Sequence, residues 1–305
     1  MVRYVVGAMT GTSIDGIDAA LCEVTGYGLD MHVQVTHTFS DNLPKSIAER
    51  LHKFANEDAR FSAKELTELQ RDFTLVHVQA IEHLLSQRKE TESVAQKVHL
   101  ICAHGQTVYH APPCSWQLFA PAPLAHAFNV PVVCDLRSAD VAAGGQGAPL
   151  TPLADWILFR DRTGAQTRAV VNLGGFCNVT VLGPCDVSAD GRATFADVSA
   201  SVRGFDVCAC SQLLDAVARQ RLNTSYDHDG NCAGAGIADS AIQADLIIKL
   251  KQQARAGRSL GTADCPMQWV QAYSHVAAND VAATAVSAVA TVIVESLPES
   301  TNSLF

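Results

Sequence analysis

YVVGAMTGTSIDGIDAALCEV, running from Tyr4 to Val24, holds two strand-like segments around a polar turn. Tyr4-Val5-Val6 is a short aromatic and β-branched run, and Ile17 to Val24 partly alternates apolar with other residues, so both read as strands. Met9 to Gly16 between them is too polar and too rich in glycine to continue either one. The stretch therefore predicts a β-hairpin whose turn is longer than a connection requires. Gly11 and Gly16 admit backbone angles closed to other residues and let the main chain approach a ligand. Successive free amides, with the hydroxyls of Thr10, Thr12 and Ser13, form a concavity suited to phosphate oxygens. Asp15 and Asp18 carry the wrong charge for phosphate alone, but they fit a Mg²⁺ that bridges carboxylate and phosphate. A polar turn with solvated aspartates is the plainer reading of the same residues.

Arg168 to Leu182, RAVVNLGGFCNVTVL, repeats the design. A β-branched run leads through Asn172 to the Gly174-Gly175 pair, and Asn178-Val179-Thr180-Val181 follows. Two phosphate-competent hairpins, one opening each half of the chain, point to a duplicated two-lobed kinase with nucleotide in the cleft between lobes. They share a plan rather than a sequence, so the duplication rests on pattern alone.

Bulk properties limit the alternatives. At 305 residues, 48% hydrophobic and 17% charged, the chain is long enough for two packed domains and is not extended disorder. A net charge of -9 lacks the basic excess of a nucleic-acid binder, so no nucleic-acid partner is expected. The ten cysteines are scattered, with no C-x-x-C; the closest pair is Cys208 and Cys210. Cys22, Cys102 and Cys134 lie in apolar strand contexts, which reads as buried thiols in a reducing compartment rather than zinc ligands or disulfides. No signal peptide is read at the N-terminus, and Val281 to Val294 is too short to span a bilayer, so a cytoplasmic protein without membrane contact is expected.

Along the chain, no clear period appears from Thr25 to Phe61. Ser62-Ala63-Lys64-Glu65 is a capping box, and apolar residues from Leu66 to Leu85 then recur at helical spacing up to about Arg88. His77 and His83 on this helix read as packed or solvated rather than as ligands. Val98 to Cys102 is a buried strand that runs into His104-Gly105-Gln106-Thr107, at the strand end where open α/β sheets place ligands; a turn with one core histidine is the alternative. Pro121 to Phe128 reads as a helix, and Pro131 to Asp135 as a strand ending in Asp135, Arg137, Ser138 and Asp140. Gly144, Gly145 and Gly147, three glycines in four residues, exclude a helix or strand interior and suit close approach to a small polar ligand. A helix from Pro152 to Phe159 marks the boundary, giving lobes 1–150 and 151–305. Further helices are predicted over Ser211 to Arg219, Ala238 to Ala254 and Asn279 to Glu295. Asn223 to Gly236 is predicted as a loop, and Pro298 to Phe305 as a frayed end.

Gly11 to Asp18, His104-Gly-Gln-Thr107, Arg137-Ser-Ala-Asp140-Val-Ala-Ala-Gly-Gly-Gln-Gly-Ala-Pro149 and Asn172-Leu-Gly-Gly-Phe-Cys-Asn178-Val-Thr180 together resemble the anhydro-N-acetylmuramic acid kinase family. That family belongs to the actin, hexokinase and Hsp70 ATPase superfamily, and the match runs in order to about Tyr226. The resemblance implies an α/β, two-lobed actin-like (ribonuclease H-like) ATPase fold. It also implies a reaction in which water opens an intramolecular 1,6-anhydro bridge and the freed 6-oxygen takes the γ-phosphate of ATP, with Mg²⁺. Asp140 resembles the base that activates the water. Gly11, Thr12, Ser13, Ile14, Asp15, Gly16, Ile17 and Asp18 would cradle phosphates, with Asp15 and Asp18 near the metal. Asn172, Gly174, Gly175 and Asn178 would form the second nucleotide hairpin. His104, Gln106, Thr107, Arg137, Gly145, Gln146 and Gly147 would hold the amino sugar, and a homodimer is expected as in the family.

Three departures from the family pattern accompany the match. After Gly204-Phe205-Asp206 the family continues T-G-P-G-N, whereas this chain reads Val207-Cys208-Ala209-Cys210-Ser211, which predicts a remodelled loop. Leu118-Phe119-Ala120-Pro121 replaces L-G-D-P, which predicts a reshaped sugar side. The glycine-rich adenosine motif expected after the Val281 helix does not precede Phe305, so the second lobe reads as cut short. A relative that binds sugar or nucleotide without turnover is the alternative these departures raise. A serine hydrolase is excluded, because Gly11-Thr12-Ser13-Ile14-Asp15 is not G-x-S-x-G and joins two strands.

Overall fold

A computed structural model describes residues 1–11, 14–54, 60–88, 97–185, 193–254, 260 and 264–305. Thr12 and Ser13, both expected in the phosphate turn, lie outside the described residues. The chain divides into two units, Met1–Leu150 and Thr151–Phe305.

In the first unit the predicted hairpin forms from β1 (Arg3–Thr10) and β2 (Gly16–Thr25), paired antiparallel from Arg3↔Val24 to Thr10↔Ile17. β3 (His32–Asn42) pairs antiparallel with β2. β4 (Val98–His104) lies parallel to β1 on the other side, followed by the two-residue β7 (Val132–Val133), giving the order β3-β2-β1-β4-β7. A separate ribbon, β5 (Gln106–Ala111) with β6 (Cys114–Leu118), follows β4 directly.

The helices α1 (Lys45–Phe54), α2 (Ala63–Ser86), α3 (Pro121–Phe128) and α4 (Ser138–Ala142) complete this unit. The capping box forms as predicted: Glu65 N donates to Ser62 Oγ at 3.2 Å, and Ser62 N donates to Glu65 Oε2 at 2.8 Å. Leu69, Phe73 and Leu84 of α2 are buried against Val6, Leu21 and Ile101 of the sheet. Burial of each such side chain contributes about 1.5–3 kcal/mol. His77 is packed as expected, with a ring nitrogen 3.1 Å from the Phe73 carbonyl. Burial pushes its pKa down to about 4.

The second unit repeats the plan of β1 to β4 in the first. β8 (Thr167–Leu173), β9 (Phe176–Leu182) and β10 (Val202–Ala209) form an antiparallel meander. β11 (Thr301–Leu304) returns parallel to β8, giving the order β10-β9-β8-β11. A meander whose first strand takes a parallel neighbour on its other side is the sheet plan of an actin-like (ribonuclease H-like) unit. Its recurrence turns the suggested duplication into a structural one.

Helix α5 (Pro152–Phe159) packs across β8, β9 and β10. On that face Thr180 Oγ1 donates to the buried Asp155 carboxylate at 2.6 Å. Cys177 and Val179 face the other way, into a core shared with α7 (Ser211–Val217), α9 (Ser240–Ala254) and α11 (Ala278–Ser296). Among the described residues α11 is the one helix long and apolar enough to cross a bilayer. Its Val281, Ala285, Ala288 and Val292 nevertheless line this core. Three short helices remain: α6 (Phe195–Ser201), α8 (Asn231–Ala235) and α10 (Met267–Ala272).

Beyond the β5–β6 ribbon, four segments differ from the sequence reading. The unpatterned stretch before Ser62 carries β3 and α1; β3 is an edge strand with mostly exposed residues, and α1 buries only Ile47 and Leu51. Pro298 to Phe305 is not frayed: β11 pairs with β8, Phe305 N donates to Ala169 O, and the Phe305 ring stacks on Phe159 at 5.4 Å. Asn223 to Gly236 holds short helical turns as well as loop. Val207 to Ser211 is no loop at all, since Val207-Cys208-Ala209 completes β10 and Ser211 opens α7.

Candidate active site

The carboxyl ends of β1, β4 and β7 collect the polar residues of the first unit. Met9 pairs with His104 across β1 and β4, and Thr10, the last residue of β1, donates to Gln106 Oε1 at 3.0 Å. Both partners are buried, and Gln106 Nε2 also donates to the Thr107 carbonyl at 3.3 Å. The Gln106 amide thus ties the start of the β1–β2 turn to the His104 segment. Gly105 makes this close passage possible, because a Cβ there would lie 2.7 Å from the Leu118 carbonyl oxygen.

Among the described residues of the turn the left-handed one is neither glycine but Ile14, with φ 57°. A β-branched residue is a genuine outlier there. Its side chain is 4% exposed, so burial in the first core holds the backbone in place. The Ile17 side chain is buried as well. Any nucleotide contact at Ile14 or Ile17 therefore runs through the main chain. Gly16 backs onto Asp41, whose carbonyl oxygen would lie 3.0 Å from a Cβ. Asp15 and Asp18 are exposed; the Asp15 carbonyl accepts from Leu43 N at 2.9 Å, and Asp18 Oδ1 accepts from the Ser40 hydroxyl. The two exposed carboxylates of Asp15 and Asp18 are donors of the kind Mg²⁺ takes, since the ion binds one or two carboxylates and completes its shell with water and phosphate. No cluster of three or more His, Cys, Asp or Glu side chains suited to a metal occurs among the described residues.

After β7, Asp135 turns the chain in a left-handed conformation and accepts from Ser138 N and Ser138 Oγ, starting α4. The glycine run then ends that helix in a Schellman motif. Gly144 N donates to Val141 O at 3.0 Å, and Gly145 N donates to Asp140 O at 2.8 Å. This pairing folds the loop back over the Asp140 side chain. Gly145 presses so close to the Asp140 carboxylate that a Cβ would overlap it. Gly147, at φ 66°, donates its N–H to Asp140 Oδ2 at 2.6 Å, and its carbonyl accepts from Arg137 Nη1 at 2.5 Å. Asp140 Oδ1 takes no hydrogen bond from the described residues.

Arg137 Nη2 also meets His104 Nε2 at 3.3 Å. A guanidinium only donates, so Nε2 is the acceptor and the proton sits on Nδ1. Burial first, then the Arg137 cation, push the His104 pKa down to about 4, against an opposing pull from Asp135. His104 is therefore neutral at ordinary pH. Thr107 Oγ1 lies 3.5 Å from the same nitrogen.

The β5–β6 ribbon is absent from the sequence reading, yet it supplies part of this neighbourhood. A ring nitrogen of His110 lies 2.9 Å from Ser115 Oγ, which also accepts from Gln117 Nε2 at 2.9 Å. His110 Cε1 comes close beneath Gly147. The signal for the ribbon was present in Pro112-Pro113, a turn pair between two runs holding aromatic residues. The Phe119 ring is buried in an edge contact with His77, 5.1 Å between centroids, and its Cβ lies against Gly105 of the His104 segment.

In the second unit the β8–β9 tip holds the other expected residues. Asn172, Asn178 and Asp206 stand in one cross-strand row. Asp206 was not among the expected site residues. The Gly174 carbonyl accepts from Ser211 N and Ser211 Oγ, and the Gly175 carbonyl from Cys210 N and Gln212 N. The altered Val207 to Ser211 segment is thus what seats the glycine turn. Cys177, Cys208 and Cys210 lie in the core beneath it, and burial pushes the Cys208 thiol up to about 12. All ten cysteines are free thiols.

A family model described as anhydro-N-acetylmuramic acid kinase matches residues 3–303. The anhydro-N-acetylmuramic acid kinase of Hydrogenovibrio crunogenus is 32% identical over 288 residues, 92% of this chain and 72% of that protein. The one from Salinibacter ruber is 34% identical over 255 residues, covering 80% and 60%. The chain therefore spans only about 60–72% of the length of these relatives. Among solved structures, the Aquifex aeolicus member of the Ppx/GppA family superposes with a TM-score of 0.34 at 9% identity, over 81% of this chain and 63% of that one. That likeness is too loose to carry an argument.

Proposed function

The chain belongs to the anhydro-N-acetylmuramic acid kinase family, and from that premise we propose that it hydrolytically opens 1,6-anhydro-N-acetylmuramic acid and phosphorylates the freed 6-oxygen from ATP. The products are N-acetylmuramic acid 6-phosphate and ADP, in the recycling of cell-wall amino sugar.

The observation that carries the reading is the setting of Asp140. Its Oδ2 is held by Gly147 N at 2.6 Å, while Oδ1 takes no bond from the described residues and the side chain is exposed. A carboxylate fixed by one oxygen and open at the other can take a proton from an attacking water. His104, Gln106, Thr107 and the Gly145–Gly147 loop hold the sugar. The neutral His104 offers hydrogen bonds without adding charge. The Gly11 to Asp18 turn takes nucleotide phosphate, and Asp15 and Asp18 would hold Mg²⁺. When bound, the ion supplies charge stabilisation for the transferring phosphoryl group. The protein acts in the cytoplasm as a homodimer, without nucleic-acid or membrane partners.

The test is ADP release from Mg-ATP with and without the anhydro sugar, with the product weighed by mass spectrometry. Sugar-dependent ADP and a product heavier by one water and one phosphoryl group are expected. Folded protein that releases no ADP would refute the reading and leave a binding-only relative.

A further inference from the structure

We propose that Arg137 is a positioning residue, fixing the Asp140 carboxylate through Gly147 rather than binding the sugar itself. The inference rests on the kinase reading for its catalytic consequence, but on geometry for its content.

Arg137 begins α4 and Asp140 follows three residues later, so both side chains reach the same flank of the helix. Between them they hold the N–H and the C=O of one residue. Asp140 takes the N–H of Gly147, and Arg137 donates to its carbonyl. The loop they hold cannot hold itself. Gly144, Gly145 and Gly147 leave it with unusually large conformational freedom, so its position depends on external anchors. The Schellman bonds anchor one end, at Gly144 and Gly145. Arg137 anchors the other, and without it the Gly147 amide is free to leave the carboxylate.

The second arm of Arg137 points the same way. Its Nη2 is taken up by His104 Nε2, which sets the tautomer of that ring. A guanidinium already engaged with a carbonyl and an imidazole, on a half-buried side chain, is committed to the protein. Lysine cannot substitute, because one ammonium on a flexible stem does not span two acceptors at a fixed angle.

Arg137→Lys and Arg137→Met in the full chain test this, with Asp140→Asn as reference. Sugar-dependent ADP release should lose about 10- to 100-fold in kcat in both Arg137 variants, the scale expected for a misplaced catalytic group. The sugar KM should stay within ~3-fold, because no ground-state contact is removed. Independently of turnover, the Gly147 amide resonance in a ¹⁵N–¹H spectrum should shift in Arg137→Met in the same direction as in Asp140→Asn. A raised KM with kcat preserved would make Arg137 a sugar ligand and overturn the proposal. So would an unmoved Gly147 resonance. If Arg137→Met fails to fold, Arg137→Lys carries the same comparisons. If the wild-type chain releases no sugar-dependent ADP, the kinase reading falls, and the Gly147 resonance alone decides the positioning role.

Discussion

The two hairpins occupy the same place in two copies of one sheet plan, yet they end differently. In the first unit five residues, 11–15, separate β1 from β2; in the second only Gly174 and Gly175 separate β8 from β9. The long turn is held from within the sheet edge, by a buried Ile14 side chain and by Leu43 N on the Asp15 carbonyl. The short turn is held from behind, its two carbonyls taken by the amides that open α7. One residue back from each tip the correspondence returns. Asp18 beside Ser40 in the first unit stands where Asn178 beside Asp206 stands in the second. A duplicated sheet thus keeps its polar row in place and varies the loop above it. Among the described residues only the first unit adds a Schellman-capped glycine loop with a carboxylate beneath it.

The proposed reading puts the base in the first unit, and Asp140→Asn tests it most severely. Turnover should fall about 10²- to 10⁴-fold, the scale of a lost general base, while sugar binding measured by calorimetry is retained. Undiminished turnover would remove Asp140 from the base role. Gly145→Ala comes next. Its Cβ would overlap the carboxylate, so Asp140 must move, and kcat should drop about 10²-fold in a folded protein.

Acid separates the units in another way. Among the described residues the buried histidine is His77, in the first unit. Its folded pKa of about 4 lies below the unfolded value of 6.5, so the unfolded chain binds the extra proton between them. Stability from this group is complete above pH 6.5 and is lost as pH falls toward 4, up to about 3 kcal/mol. His104, depressed to about 4, adds to the same window. Hydrogen exchange followed from pH 7 to pH 5 should show the first unit loosening before the second, and His77→Leu should reduce that difference. Equal loosening would count against it.

The smallest effect is expected at Gly174→Ala. Its φ is not left-handed, and a Cβ would meet its nearest atom at 3.4 Å, an ordinary contact. The melting free energy should change by no more than about 0.5 kcal/mol. A raised ATP KM in that variant would then report a phosphate lying against the tip.

Much of this was legible in the sequence because local chemistry decided it. The two hairpins follow from β-branched runs around glycine. The α2 start follows from Ser62 and Glu65, and the core helix α11 from its short, alanine-rich apolar run. What was illegible depends on partners distant in the chain. β3 is polar because it is an edge strand, and Thr301-Asn302-Ser303-Leu304 becomes a strand only because β8 offers an open side. The glycines at 144 to 147 announced a special loop, but not that it would close on Asp140. The left-handed residue was expected at a glycine, and it is Ile14, which a buried side chain can pay for.

The pairing of β11 with β8 also bears on the order in which the sheet is assembled. Thr301 meets Thr167 only after more than a hundred intervening residues have been arranged, whereas β8, β9 and β10 are close neighbours in the chain. The entropy of closing so long a loop makes such contacts late ones during folding. Until β11 arrives, the outer edge of β8 presents unpaired N–H and C=O groups beside an apolar face, a template on which another chain can add a strand. The interval before that closure is when this protein is most exposed to aggregation, and the speed of strand return sets how long it lasts.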